Sequence, residues 1–139
     1  MTRARKLPRD FYAPGTLAIA RDLIGMHLVH DDGGTMRVGR IVETEAYMGP
    51  KDLAAHSARG RTARTEVMFG EPGHAYVYFI YGLYWCLNFV CEPEGVANAV
   101  LIRAPWGVPP VAVIVAGTAT VLVRLKVTGD RAATVAVTL

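Results

Sequence analysis

Hydrophobic and polar positions alternate with a period of two along most of the chain, and helical spacing appears only briefly. The helical stretch comes first. Thr16 is placed to cap a short helix through Leu23, and Gly25 follows where a left-handed stop residue belongs. Met26 to His30 then reads as a strand, Asp31-Asp32-Gly33-Gly34 as a hairpin turn, and Thr35 to Tyr47 as the returning strand. Gly39 inside it marks a bulge or a close backbone approach. From Met48 to Gly73 periodicity stops, and Asp52 is placed to cap one helical turn, Leu53 to Ser57. His74 to Ile80 is rich in β-branched and aromatic residues and reads as a strand. Tyr81-Gly82 follows as a tight turn and Leu83 to Cys91 as the partner strand. Alternation puts Tyr84, Cys86 and Asn88 on one face of that strand and Leu83, Trp85, Leu87 and Phe89 on the other. Glu92-Pro93-Glu94-Gly95 is another turn and Val96 to Ala104 another strand. The pattern predicts an α+β fold built mainly of short antiparallel strands.

Composition narrows the class. The chain has 139 residues, enough for one domain and one core, and 52% hydrophobic against 19% charged residues excludes a disordered chain. The net charge of +3 permits a polyanionic partner without requiring one. Cys86 and Cys91 have neither zinc-knuckle nor C-x-x-C spacing and read as reduced core residues. The four histidines are scattered, so no metal site is expected. The basic segment Met1 to Arg9 is not followed by an apolar run, which argues against secretion and for a cytoplasmic (nucleoid-associated) or nuclear protein. No charged residue lies between Arg103 and Arg124, but the unbroken apolar part, Val111 to Val123, is shorter than the ~20 residues of a membrane span. It reads as buried strand, and Val111 to Ala116 has the composition of an aggregation-prone one. Residues 108–139 are rich in Val, Ala and Thr, with no aromatic, histidine or glutamate.

Against this background a few positions invite chemistry. In Ile41-Val42-Glu43-Thr44-Glu45-Ala46-Tyr47, alternation places Glu43, Glu45 and Tyr47 on one face. Two carboxylates side by side repel, and one of them is expected to have its pKa raised toward the range of a useful base. Tyr47 adds a flat surface on which a base could stack. Tyr81, on a hairpin tip, is either a surface aromatic or a wedge of the kind that enters a base stack. Asn88 and Arg103 interrupt apolar strands. Asn88 is equally well read as a satisfied structural amide, and Arg103 as a group able to reach a phosphate. Arg59, Arg61 and Arg64 on the aperiodic segment are a solvated face, or a phosphate site if an anion lies beside them.

Taken together, Val42-Glu43-Thr44-Glu45-Ala46-Tyr47, Ala54-Ala55-His56-Ser57, Met68-Phe69, Pro72-Gly73, Tyr76-Val77-Tyr78, Ile80-Tyr81-Gly82, Asn88 and Leu101-Ile102-Arg103-Ala104 resemble the 3-methyladenine DNA glycosylases of the alkyladenine type. The resemblance runs from about Thr16 to Gly107. It implies a single α+β domain with a curved antiparallel sheet and a protruding β-hairpin. It also implies a monofunctional, cofactor-free enzyme that flips a damaged purine from duplex DNA and hydrolyses its N-glycosidic bond. On that resemblance Glu45 is the general base, and Arg103 lies beside the attacking water and the DNA backbone. Tyr47, His56 and Tyr78 wall the base pocket, Asn88 tests for an exocyclic amine, and Tyr81 is the intercalating wedge. The implied partner is double-stranded DNA containing damaged purines, bound by a monomer, with no membrane and no metal. After Gly107 the arginine-bearing helix and Gly-Pro-Gly-Lys segment of that family have no counterpart. The alternative is therefore a DNA-binding remnant with weak or no catalysis. A metal- or ligand-binding protein using His56, His74, Cys86 and Glu45 is a third reading, for which no ligand spacing speaks.

Overall fold

The computed structural model describes residues 5–31, 36–81, 84–103, 119–123 and 134–135. Its strands are β1 (Arg5–Lys6), β2 (His27–Asp31), β3 (Met36–Arg40), β4 (Glu43–Tyr47), β5 (Ala75–Ile80), β6 (Tyr84–Cys91), β7 (Asn98–Arg103), β8 (Ala119–Val123) and β9 (Thr134–Val135). One α-helix, α1 (Thr16–Leu23), and 3-10 turns at Arg9–Tyr12, Gly49–Lys51, His56–Arg59 and Glu66–Phe69 complete the described elements. This is the α+β class that the alternation predicts. The strands form two sheets, one ordered β1-β8-β2-β3 and one ordered β4-β7-β6-β5-β9. Pairing is antiparallel throughout the second sheet, whereas β8 runs parallel to both β1 and β2 in the first.

The five-stranded sheet has two different faces. One presents Ala46, Ala75, Val77, Leu87, Phe89, Cys91, Val100 and Ile102 to α1, whose Ile19, Ala20 and Leu23 join Tyr12, Leu28 and Ile41 in the main core. The opposite face carries Tyr76, Tyr78, Val90 and Ala99, which pack with Met68 and Ala97 in a second, smaller cluster. Strand alternation alone produces this division.

Several expectations are corrected. The returning strand 35–47 is two strands in different sheets. At Ile41 the chain turns inward, its N–H donating to Met26 O and its carbonyl accepting from Gly25 N, both at 2.8 Å, and Val42 lies exposed between the sheets. Gly39 pairs with Leu28 in an uninterrupted ladder, so no bulge occurs there. Gly15, not Thr16, is the N-cap, because the Thr16 hydroxyl is turned to Glu92 Oε1, as is its N–H at 2.9 Å. Gly25 does adopt the left-handed conformation expected of it, at φ +85°. Asp52 caps no helix. It accepts from Met48 N and Ala54 N, and the 3-10 turn begins later, at His56. The last of the read strands begins at Asn98 rather than Val96, since Ala97 has φ +59°.

The turn residues 32–35, Gly82 and Leu83, and the apolar run Val111 to Ala116 lie outside the described residues. Neither described piece of the tail pairs with β7, which is flanked on both sides by β4 and β6. Among the described residues, no helix is long and apolar enough to cross a membrane, and Cys86 and Cys91 are free thiols.

Candidate active site

The site is built on the second face of the five-stranded sheet, by register. Glu45 lies opposite Leu101, Leu101 opposite Asn88, and Asn88 opposite Tyr76, so four adjacent strands contribute one transverse row. One step along, Glu43 lies opposite Arg103, and Tyr78 opposite Cys86. Every position in these rows differs by two along its own strand, so all their side chains point the same way. The segment 48–73 covers this face. Ser57 Oγ donates to Ala97 O at 2.9 Å, Gly95 N donates to Phe69 O at 2.9 Å, and buried Thr65 ties the segment to itself through Gly60 O and Thr62.

Between sheet and segment lies a cleft of about 210 Å³ lined by Tyr47, Ala54, His56, Met68, Tyr76, Tyr78, Ile80 and Asn88. The four residues expected to bind a base therefore line a single cleft. Ring centroids of His56 and Tyr78 are 4.6 Å apart, and those of Tyr76 and Tyr78 are 5.3 Å apart. His56 Nδ1 is 2.7 Å from the Tyr76 hydroxyl. Burial, and after it the positive charges of Arg64 and Arg59, hold His56 below its ordinary pKa, so the ring is neutral at pH 7. Asn88 is 3% exposed, and its Nδ2 donates to Tyr76 O at 3.2 Å. The amide is bonded on one side, as the structural reading expects, and lines the cleft on the other.

Glu45 and Arg103 adjoin the cleft through Tyr47. The Tyr47 hydroxyl donates to Glu45 Oε2 at 2.8 Å, and Arg103 Nη1 bonds Glu45 Oε1. Arg103 Nε also lies 3.4 Å from Glu43 Oε1, which gives Glu43 an arginine partner. At Glu45 the expectation of a raised carboxylate pKa is overturned. The hydrogen bonds from Arg103 and then Tyr47 outweigh burial and hold Glu45 below the usual carboxylate range. Tyr47 itself is pushed up to about 12, by burial and by its bond to Glu45. Tyr81 stands apart from the cleft at the end of β5, 84% exposed, in the left-handed region at φ +54°. Arg64 reaches over the Tyr78 ring at 5.5 Å. Arg61 lies over Phe69 at 5.1 Å and pairs with Glu66 at 2.9 Å.

Sequence reasoning missed Tyr76, which lines the cleft, and the placement of Arg64 over the Tyr78 ring. Tyr76 was within reach, since it lies two residues before Tyr78 in the same alternation. Arg64 was legible only as one of three arginines on a solvated or phosphate-binding segment, because the aperiodic segment gives no direction to its side chains. Among the described residues, no group of three or more His, Cys, Asp or Glu side chains is arranged to hold a metal ion.

Comparison with known proteins decides the family. The methylpurine-DNA glycosylase (MPG) family model matches residues 10–120. The chain belongs to the methylpurine-DNA glycosylase family. A protein named "Putative 3-methyladenine DNA glycosylase" from Legionella pneumophila (strain Corby) is 59% identical over 100 residues, covering 72% of this chain and 55% of that protein. Proteins of the same name from Myxococcus xanthus (strain DK1622) and Methanocella arvoryzae are 56% identical over 107 residues and 59% identical over 98. They cover 75% and 70% of this chain and 55% and 49% of those proteins. This member of the glycosylase family thus spans about half the length of the curated relatives it matches.

Proposed function

We propose that the chain acts in base-excision DNA repair, hydrolysing the N-glycosidic bond of damaged purines flipped out of duplex DNA. The observation that carries this is the continuity of Arg103, Glu45 and Tyr47 with the aromatic cleft: one tyrosine both walls the cleft and bonds the carboxylate. A purine stacked between Tyr47 and the Tyr78–His56 pair would gain roughly 1–3 kcal/mol. It would also place its sugar toward Glu45. Two lone-pair sites of the Glu45 carboxylate are engaged, which leaves others for a water molecule. Held ionised by its partners, Glu45 is a weak but constantly available base, and its charge stabilises the oxocarbenium-like sugar as the bond breaks. Arg103 orients that carboxylate and, half exposed, is positioned to meet a backbone phosphate. Asn88, anchored by the Tyr76 carbonyl, offers a rigid amide that would reject a base carrying an exocyclic amine where it meets the cleft wall. Tyr81, projecting from the sheet, supports a wedge that fills the space left by the flipped base.

The test is single-turnover release of base from duplexes carrying hypoxanthine or 3-methyladenine. Release is expected from the unaltered chain, with Glu45→Gln slower by on the order of 10²–10⁴. Equal release by both proteins would remove Glu45 from its role. Salt-sensitive duplex binding without release at any pH would favour the DNA-binding remnant instead.

A further inference from the structure

Glu43 is outside every role assigned above, although it shares a sheet face with Glu45. In the register of β4 and β7, Arg103 lies directly opposite Glu43, whereas Glu45 lies opposite Leu101, two positions along. Residues directly opposite on antiparallel strands have Cβ atoms about 4.5–5.5 Å apart, and diagonal ones about 7–8 Å. The backbone therefore delivers Arg103 to Glu43 first, and its side chain leans along β4 to reach Glu45. The contacts divide accordingly. Nε, at the root of the guanidinium, lies 3.4 Å from Glu43 Oε1, and Nη1, at its end, bonds Glu45 Oε1. Arg103 closes β7 with a half-exposed side chain, and among the described residues these two carboxylates are its ion-pair partners. A guanidinium is planar, with its donors fixed in a fork, so an anchor at Nε sets the rotation of the whole plane and the direction of Nη1. Glu43 itself is more than half exposed and does not line the cleft.

We propose that Glu43 is a positioning residue: by holding Arg103 at Nε it keeps Nη1 of the same guanidinium on Glu45, so that one arginine serves the carboxylate and a DNA phosphate together. The role rests on the glycosylase reading, in which a backbone phosphate competes for Arg103 as DNA binds. An exposed arginine held by Glu45 alone would turn to the phosphate and leave the carboxylate. The second acid resists that turn, and the N–H groups still directed outward remain for the phosphate. The alternative is a solvated surface acid, whose ion pair with an exposed arginine counts for little. The two differ in sign. As a mere neighbour, Glu43 is a negative charge beside Glu45, and neutralising it would make Glu45 easier to ionise. As a positioning residue it keeps a cation on Glu45, and neutralising it would make Glu45 harder to ionise. The charged and titratable groups around Glu45 are Arg103 from β7, Glu43 and Tyr47 from its own strand and, through Tyr47, Asp52 from the covering segment. Arg103 and Tyr47 do not change charge in the acid range, and Asp52 is common to every variant compared.

Carbon-13 carboxyl spectra of the 139-residue chain, taken without DNA across the acid range, read the Glu45 titration midpoint, and Glu45→Gln identifies its signal by removing it. Glu43→Gln is expected to raise that midpoint, by less than Arg103→Gln does. With Arg103→Gln already in place, adding Glu43→Gln should lower the midpoint or leave it where it is, since only the charge effect remains. In single-turnover excision, Glu43→Gln should move the acid limb of the rate upward, in the same direction as Arg103→Gln. A midpoint that stays or falls in Glu43→Gln overturns the proposal, as does a rise that persists in the Arg103→Gln background. So does an unmoved acid limb in a chain that excises. Absence of excision from the unaltered chain would count against the glycosylase reading, while the carboxyl spectra would still decide the role of Glu43.

Discussion

Glu45 is the residue whose chemistry the sequence misjudged. Its neighbour Glu43 argued for repulsion and a raised pKa, but Arg103, 58 residues away, reverses the sign by binding both acids. A charge partner so distant leaves no trace in local spacing, whereas the shared face of Glu43, Glu45 and Tyr47 was legible because it follows from alternation alone. The reversal has a testable sign. A base with a depressed pKa stays ionised as pH falls through the ordinary carboxylate value, about 4.3. The acid limb of the excision rate that belongs to Glu45 should therefore lie below that value, and Arg103→Gln should move it upward in a pH–rate profile. A second residue with a clear expectation is Tyr12. Its side chain is fully buried against Phe89, and its hydroxyl has no hydrogen-bond partner among the described residues. Removing an unsatisfied buried hydroxyl relieves a desolvation cost of roughly 1–3 kcal/mol. Tyr12→Phe should accordingly show no loss of stability, and a gain of up to about 1 kcal/mol, in urea unfolding.

At the scale of elements, the short strands were readable but their partnerships were not. Thr35 to Tyr47 looks like one strand because its alternation is continuous. The break at Ile41 depends on backbone bonds to Gly25 and Met26, which a pattern of side chains does not encode. The aperiodic segment was legible as a break in periodicity, but its fastening comes from small polar residues such as Ser57 and Thr65. Its entry depends on Gly49, at φ +70°, where an added Cβ would come within 2.4 Å of Asn98 Oδ1 and 2.8 Å of the Val96 carbonyl. Gly49→Ala should cost at least about 2 kcal/mol, since left-handed backbone alone costs an alanine roughly 1–2. Calorimetric melting would register the drop. The helix start is equally non-local. Glu92 Oε1 accepts from Thr16 N and Oγ1 and from Asn98 Nδ2, so a carboxylate from another element caps α1. Burial pushes the pKa of Glu92 up, but these bonds prevail and hold it below the usual range. A depressed carboxylate contributes stability that is present above its unfolded value, about 4.3, and is lost as pH falls through the folded one. Glu92→Gln should therefore destabilise by about 1–3 kcal/mol at pH 7, and the difference from the unaltered chain should shrink in melts below pH 4.

For the whole molecule, the decisive arrangement is a sheet with a packed face and a working face. The main core, with α1, lies on one side. The cleft, the acid–arginine string and the three arginines of segment 48–73 belong to the other. Cation-bearing residues gathered around the working face, on a chain of net charge +3, predict duplex binding that weakens with salt. The logarithmic slope should approach about −0.9 for each phosphate engaged, and replacing Arg103 by Gln should reduce it by about one in fluorescence titrations. The turn at Ile41–Val42 gives this two-faced plan an unusual sensitivity. It is the connection that sets which way β4 enters the sheet, and a strand's side chains exchange faces with each single-residue slip. Loss of one residue there would swing Glu45 and Tyr47 toward α1 and bring Thr44 and Ala46 into the cleft. On the proposed reading, the length of this connector matters as much to the site as the identity of its side chains. Lineages of the chain would be expected to tolerate substitutions at Val42 far more readily than insertions or deletions beside it.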